Sequence, residues 1–211
     1  MIRKLFLIFE VLLKYKRKIF KVVFFEIFYS IYLGRQFYKI HNDTVRSDSM
    51  PCPYYFIYKI SKFLKKNFVS YAVDLGSGNG RIINFLSLKT STKMHGFEND
   101  QEMFDYSIKN LNKKAKIEYK DINLINYNKL DADCYIINTP FWKDTMLKNL
   151  IDKISLSKVS SKEKYYIIII NIDVILKKIQ LNTIFSNFKL IKFINAGAIR
   201  SLRIYENLEN H

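Results

Sequence analysis

The chain has 211 residues with 49% hydrophobic content, enough for one α/β domain plus an extension, which excludes a disordered polymer. Its 35 Lys and Arg against 19 Asp and Glu leave a formal charge of +16, which suits a polyanion or an anionic membrane surface, although an A/T-rich coding sequence produces the same lysine excess. The two cysteines, Cys52 and Cys134, are too few for a metal cluster and too far apart for a disulfide framework, so a reducing cytoplasm is the expected compartment.

Residues 1–33 are apolar and aromatic, with seven basic residues (Arg3, Lys4, Lys14, Lys16, Arg17, Lys18, Lys21) facing two acids (Glu10, Glu26). No uncharged run approaches the ~18 residues that span a bilayer, and no small-residue cleavage site marks a secretory signal. One or two amphipathic helices are predicted, packed on the domain or lying on a membrane surface as a peripheral contact. Residues 34–52 are polar and aperiodic and read as a connection. This places a boundary between an N-terminal extension, 1–52, and a domain, 53–211.

Pro53 suits the first turn of a helix over 53–67, where Phe56, Ile57, Ile60, Phe63 and Leu64 recur at helical spacing with lysines opposite. From residue 69 short apolar runs alternate with helical stretches. Strands are predicted at 69–75, 93–98, 116–121, 132–141 and 164–171. Helices are predicted at 80–88, 101–114, 142–154 and, briefly, 174–180. Two further strands, 188–194 and 201–208, have only a turn between them and should pair antiparallel. Alternating strands and helices mean parallel pairing with right-handed crossovers. The expected fold is therefore α/β: a doubly wound, mostly parallel seven-stranded sheet with an antiparallel C-terminal strand, preceded by amphipathic helices.

Three of the six glycines, Gly76, Gly78 and Gly80, fall within five positions after the first predicted strand. That is the carboxyl end, where an open α/β sheet binds its ligand, and glycine lets backbone approach closely at φ > 0. The spacing does not fit phosphate cradles. A P-loop needs Lys-Ser/Thr after its last glycine, and Arg81-Ile82 stand there; the dinucleotide fingerprint needs glycine at 81. Asp74, two residues before the first glycine, would repel a pyrophosphate and attract an ammonium or sulfonium cation.

The stretch "VDLGSGNG" resembles the first motif of the class I S-adenosylmethionine (SAM)-dependent methyltransferases, and the resemblance extends over about residues 53–208. It implies SAM as cofactor, bound by Asp74, Gly76, Ser77, Gly78 and Gly80. Glu98 in "HGFEND" is similar to the family's acid closing strand two, which accepts hydrogen bonds from both ribose hydroxyls, with Asn99 beside it. Asp121 matches the third motif and Ile122 is placed against the adenine. "NTPF", Asn138 to Phe141, resembles the fourth motif of amino methyltransferases, with Thr139 where the strict form has proline. There Asn138 accepts hydrogen bonds from the target amine and borders the cofactor, Pro140 shapes the turn, and Phe141 stacks on the acceptor with Trp142 beside it. In related enzymes a Pro-Tyr stretch before the domain helix shapes the acceptor pocket, which makes Tyr54 and Tyr55 candidates. Plain structural alternatives stand beside these readings: a capping acid for Asp74, a tight turn without a ligand for Gly76 to Gly80, a surface acid for Glu98, a loop start for Asp121, a turn for Asn138 and buried aromatics for Tyr54, Tyr55, Phe141 and Trp142.

The isolated His41, His95 and His211 suggest no metal. The implied reaction is methyl transfer to an amine nitrogen of a macromolecule, with a protein side chain ranked ahead of a nucleic-acid base. The third reading, from another class, is a non-catalytic module of the same fold that docks to a membrane or a protein partner. Oligomeric state is not legible in the residues.

Overall fold

The computed structural model describes residues 20–29, 51–109, 111–138, 143–158, 164–172, 178–196 and 200–208. Residues 20–29 form a helix, α1. It is followed by α2 (Tyr54–Lys66), β1 (Tyr71–Leu75), α3 (Arg81–Lys89), β2 (Lys93–Glu98), α4 (Gln101–Lys109) and β3 (Ala115–Tyr119). After 3-10 turns at Ile122–Leu124 and Tyr127–Lys129 come β4 (Cys134–Asn138), α5 (Asp144–Lys158), β5 (Tyr166–Ile170), α6 (Lys178–Ile184), β6 (Phe188–Asn195) and β7 (Ser201–Asn207).

The strands form one seven-stranded sheet in the order β3-β2-β1-β4-β5-β7-β6. β3, β2, β1, β4 and β5 pair in parallel, and β7 runs antiparallel to both β5 and β6. The expected doubly wound sheet with an antiparallel C-terminal strand is thus present. The chain reverses its winding between β1 and β4, which makes their carboxyl ends the switch point where such sheets hold ligands.

The apolar runs explain the central position of β1, β4 and β5. Ile167 and Ile169 face one apolar cluster with Val73, Leu75, Tyr135 and Ile137, against α5 and α6. Ile168 and Ile170 face the other with Ala72, Cys134 and Ile136, against α2 and α3. A strand buried on both faces has no polar alternation to show, hence the continuous isoleucine run.

Element boundaries depart from expectation where polar side chains compete with the helix. The helix predicted for 101–114 is assigned only to Lys109. Asn112 Oδ1 accepts the backbone N–H of Lys114 at 2.9 Å, a local turn that replaces the helical bond. Pro53 precedes the first turn of α2 at φ −59°, ψ 137°, its carbonyl accepting the N–H groups of Phe56 and Ile57. α5 runs to Lys158, four residues beyond the prediction. α6 continues to Ile184, and the start predicted for it, 174–177, lies outside the described residues. Most of residues 1–52 also lies outside them.

α1 packs on α2 and α3. Phe25 meets the rings of Tyr55 and Tyr58 at 5.6 and 5.0 Å, and Tyr29 meets Tyr54 and Phe85 at 5.5 and 4.9 Å. None of the described helices is long and apolar enough to cross a membrane.

Candidate active site

The glycine turn leaves β1 at its carboxyl end and enters α3. Gly76, Gly78 and Gly80 adopt φ of 80°, 54° and 75°, the left-handed region in which a side chain is strained. The N–H groups of Gly76 and Ser77 both donate to Phe97 O, at 3.0 and 2.9 Å, which ties the turn to the end of β2. Gly80 sits tightest: a Cβ there would stand 3.1 Å from Ile117 Cδ1 and 3.2 Å from Ser107 Cβ. The turn also depends on Gly96 in β2, which the sequence reading passed over. A Cβ at that position would meet Ile83 Cδ1 at 2.2 Å and Ser77 Cβ at 2.9 Å. A glycine inside an otherwise apolar strand was the available signal of such an approach.

Two acids flank the turn. Asp74, next to last in β1, is 0% exposed, and neither of its carboxylate oxygens has a hydrogen-bond partner among the described residues. Burial, and then the charge of Glu98, hold its carboxyl well above the usual carboxylate range. A bare buried carboxyl of this kind gains strongly from a cationic or hydrogen-bond-donating ligand. Glu98 ends β2 and is nearly buried. Its Oε2 accepts the Gly78 N–H at 2.7 Å, and Oε1 accepts those of Asn99 and Asp100 at 2.9 and 2.8 Å. Burial raises its carboxyl, and these three bonds only partly offset that. A carboxylate has about four acceptor positions, so room for one further donor remains. Asn99 is exposed beside it.

Asp121 follows β3 and caps the first 3-10 turn, its Oδ1 accepting the backbone N–H of Asn123 at 2.8 Å and Asn123 Nδ2 at 3.0 Å. Ile122 packs in the cluster with Val73, Leu75 and Phe97, and its carbonyl accepts Tyr127 Oη at 2.9 Å. Asp74, the glycine turn, Glu98 and Asp121 therefore come from three adjacent strand ends.

Asn138 is the last residue of β4, one step past the Leu75–Ile137 pairing, and so stands beside the glycine turn. Its Oδ1 accepts from Asn171 Nδ2 at 3.3 Å. Asn171 is the second residue the sequence reading missed. It follows β5, is 0% exposed and holds φ 60°, while its N–H donates to Ser201 O at 2.8 Å and its Oδ1 has no partner among the described residues. An asparagine directly after four isoleucines, at the same strand end as Asn138, was the signal in the residues. Thr139, Pro140, Phe141 and Trp142 lie outside the described residues.

Tyr54 and Tyr55 are buried at the start of α2, 3% and 7% exposed. Tyr54 stacks under the Arg81 guanidinium, 3.6 Å from the ring centroid. The expected acceptor-pocket tyrosines thus form part of the seam between α1, α2 and α3. That seam is held by Glu26 of α1, which accepts the Tyr54 N–H at 2.7 Å through Oε1 and pairs with Arg81 Nη2 at 2.5 Å through Oε2. An acid from another helix therefore supplies the missing cap at the N-terminus of α2, where a negative charge is favoured. Cys52 is buried nearby, and burial pushes its thiol well up, as it does for Cys134, so neither offers a thiolate. Among the described residues no group of three metal-ligating side chains converges.

No protein-family model and no curated protein matches the sequence. Solved structures do match the fold. A SAM-dependent methyltransferase from Aquifex aeolicus superposes with a TM-score of 0.56 at 15% identity, covering 72% of this chain and 89% of its own. An RNA methyltransferase from Salinibacter ruber in complex with S-adenosyl-L-homocysteine gives 0.55 at 12% identity, covering 77% and 96%. The N-methyltransferase NodS from Bradyrhizobium japonicum gives 0.53 at 10% identity, covering 72% and 94%. At these identities the likeness is one of fold.

Proposed function

We propose that the chain is a SAM-dependent methyltransferase that methylates an amine nitrogen of a macromolecule, a protein side chain in the first instance. The reading rests on one observation: a fully buried Asp74 with neither oxygen partnered among the described residues, beside a turn of three left-handed glycines at the switch point. A donor carrying an ammonium and a sulfonium cation suits that carboxylate, whereas a phosphate would be repelled by it.

The bound donor would supply an already activated methyl carbon, so the protein's part is orientation and exclusion of water. Asp74 would hold the donor's ammonium, and the glycine turn would let backbone lie against its amino-acid tail. Glu98 keeps acceptor capacity for a ribose hydroxyl on Oε2. Asn138 Oδ1 would accept from the target amine and aim its lone pair into the crevice. Asn171 Nδ2 already fixes which end of the Asn138 amide points where. Pro140, Phe141 and Trp142 complete the proposed acceptor side from sequence alone.

The test is calorimetry with S-adenosyl-L-homocysteine on wild type and Asp74→Ala. Wild type should bind and the variant should not; no wild-type binding at millimolar ligand refutes the proposal. Radiolabelled SAM with lysate of a deletion strain then separates acceptor classes. A labelled protein band supports the first reading. Labelled nucleic acid supports the second, a base amine, which the +16 charge favours and whose binding should weaken steeply with salt.

A further inference from the structure

α1 is apolar on two faces, and among the described residues only one of them is packed. Val22, Phe25 and Tyr29 pack inward. Phe20, Val23, Phe24, Ile27 and Phe28 point outward with exposures of 70%, 48%, 55%, 59% and 55%. Their spacing (i, i+3, i+4, i+7, i+8) makes one continuous ridge, and Phe24 and Phe28 stack along it at 6.2 Å. Single exposed apolar residues are ordinary; a contiguous ridge of five marks an interaction surface.

What flanks α1 identifies the partner. Lys59 Nζ lies 5.3 Å from the Tyr55 ring and Lys62 Nζ 4.8 Å from the Tyr58 ring, the same two rings on which Phe25 of α1 packs. Lys65 and Lys66 continue the row, and Lys192 of β6 is near enough to Lys59, Lys62 and Lys66 to feel their charge. Lys21 is exposed on α1 itself. The only acid on α1 or α2 is Glu26, which is turned inward onto Tyr54 and Arg81.

We propose that the outward ridge of α1 and the lysine row of α2 form a docking face for an anionic lipid surface. An apolar ridge beside cations without acids matches the acyl-chain boundary and headgroup charge of such a membrane. The same pattern disfavours the other occupants. A two-fold pairing of copies with antiparallel α1 helices would set one lysine row against another. Residues 1–19 carry six basic residues and one acid, so laying them on the ridge would add cations to a cationic face. Nucleic acid would match the lysines and leave the ridge in water.

The experiment is co-sedimentation of the full chain with vesicles of phosphatidylcholine alone and of phosphatidylcholine with one-quarter phosphatidylserine. Wild type should partition onto the phosphatidylserine vesicles and be released by salt. Lys59→Ala/Lys62→Ala should lower that partitioning about 25-fold, roughly fivefold per lysine. Phe24→Ser/Phe28→Ser should abolish it with an unchanged melting temperature, since both rings are already exposed. Three results overturn the proposal: equal partitioning onto the two vesicle types, undiminished binding by the serine variant, or a vesicle-free dimer that the serine variant dissociates. None of these depends on methyl transfer, so the catalytic proposal stands or falls separately.

Discussion

Glu26→Ala tests whether α1 is an integral part of the fold. The substitution removes the acceptor for the Tyr54 N–H and the only carboxylate paired with Arg81 among the described residues. The Arg81 side chain is 6% exposed, and among the described residues its Nε and Nη1 have no hydrogen-bond partner, so its charge rests there on Glu26 and on the Tyr54 ring. Stripping one partner from a buried ion pair costs about 3–5 kcal/mol, and losing a helix cap about 1 kcal/mol. Glu26 is 22% exposed, which lets water approach the vacated position and sets the expected total near the lower end, about 3 kcal/mol. For a chain of this size that is a fall in Tm of roughly 6–12 °C. Urea unfolding should show a lower midpoint at unchanged slope. Adding Arg81→Met removes the stranded charge, so the double variant should recover at least ~1 kcal/mol relative to the sum of the single losses. A melting temperature within ~1 °C of wild type, or strictly additive losses, would refute the reasoning.

Asp74→Asn should raise stability while weakening ligand binding. The Asp74 carboxyl is raised in the folded state above its ordinary value of 3.8, so its contribution is fully present below that pH and lost as pH rises through the folded value. The variant should therefore melt above wild type at neutral pH, with the gap closing below about pH 4; a gap independent of pH would count against the bare carboxyl. Gly96→Ala sets a methyl 2.2 Å from Ile83 Cδ1 and 2.9 Å from Ser77 Cβ, and should cost about 1–3 kcal/mol while displacing the glycine turn. Calorimetry would then show weaker S-adenosyl-L-homocysteine binding, and retained affinity would show that the turn does not rely on Gly96. Asn171→Ala should leave that binding intact and cut turnover about 100-fold by removing the Asn171 bond that helps orient the Asn138 amide. A proportional loss of binding and turnover would assign Asn171 to the fold instead.

Much of the architecture was legible because it depends on short-range pattern. The isoleucine run of β5 has no polar alternation, which a strand covered on both faces does not need. The three glycines, two residues apart, sit in the left-handed conformations that their spacing after a strand suggested. The first strand was legible to its end at Leu75, with Asp74 one residue before it, whereas the fourth was predicted over 132–141 and β4 ends at Asn138. Where polar side chains bond their own backbone, as Asn112 does after α4, the periodicity ran past the true helix end.

The residues alone therefore determined the sheet, its winding and the position of the crevice, since each follows from local sterics and from a periodicity of two or 3.6. Only the tertiary structure decided the Glu26–Arg81–Tyr54 clasp, whose members lie 28 and 55 positions apart, and the contact between Asn138 and Asn171, 33 apart. It alone also decided which apolar face of α1 is buried. A sequence records how hydrophobic each face of a helix is, but which face is covered depends on where the neighbouring helix lies. That follows from how separately formed elements dock, a relation carried by no single stretch of the chain.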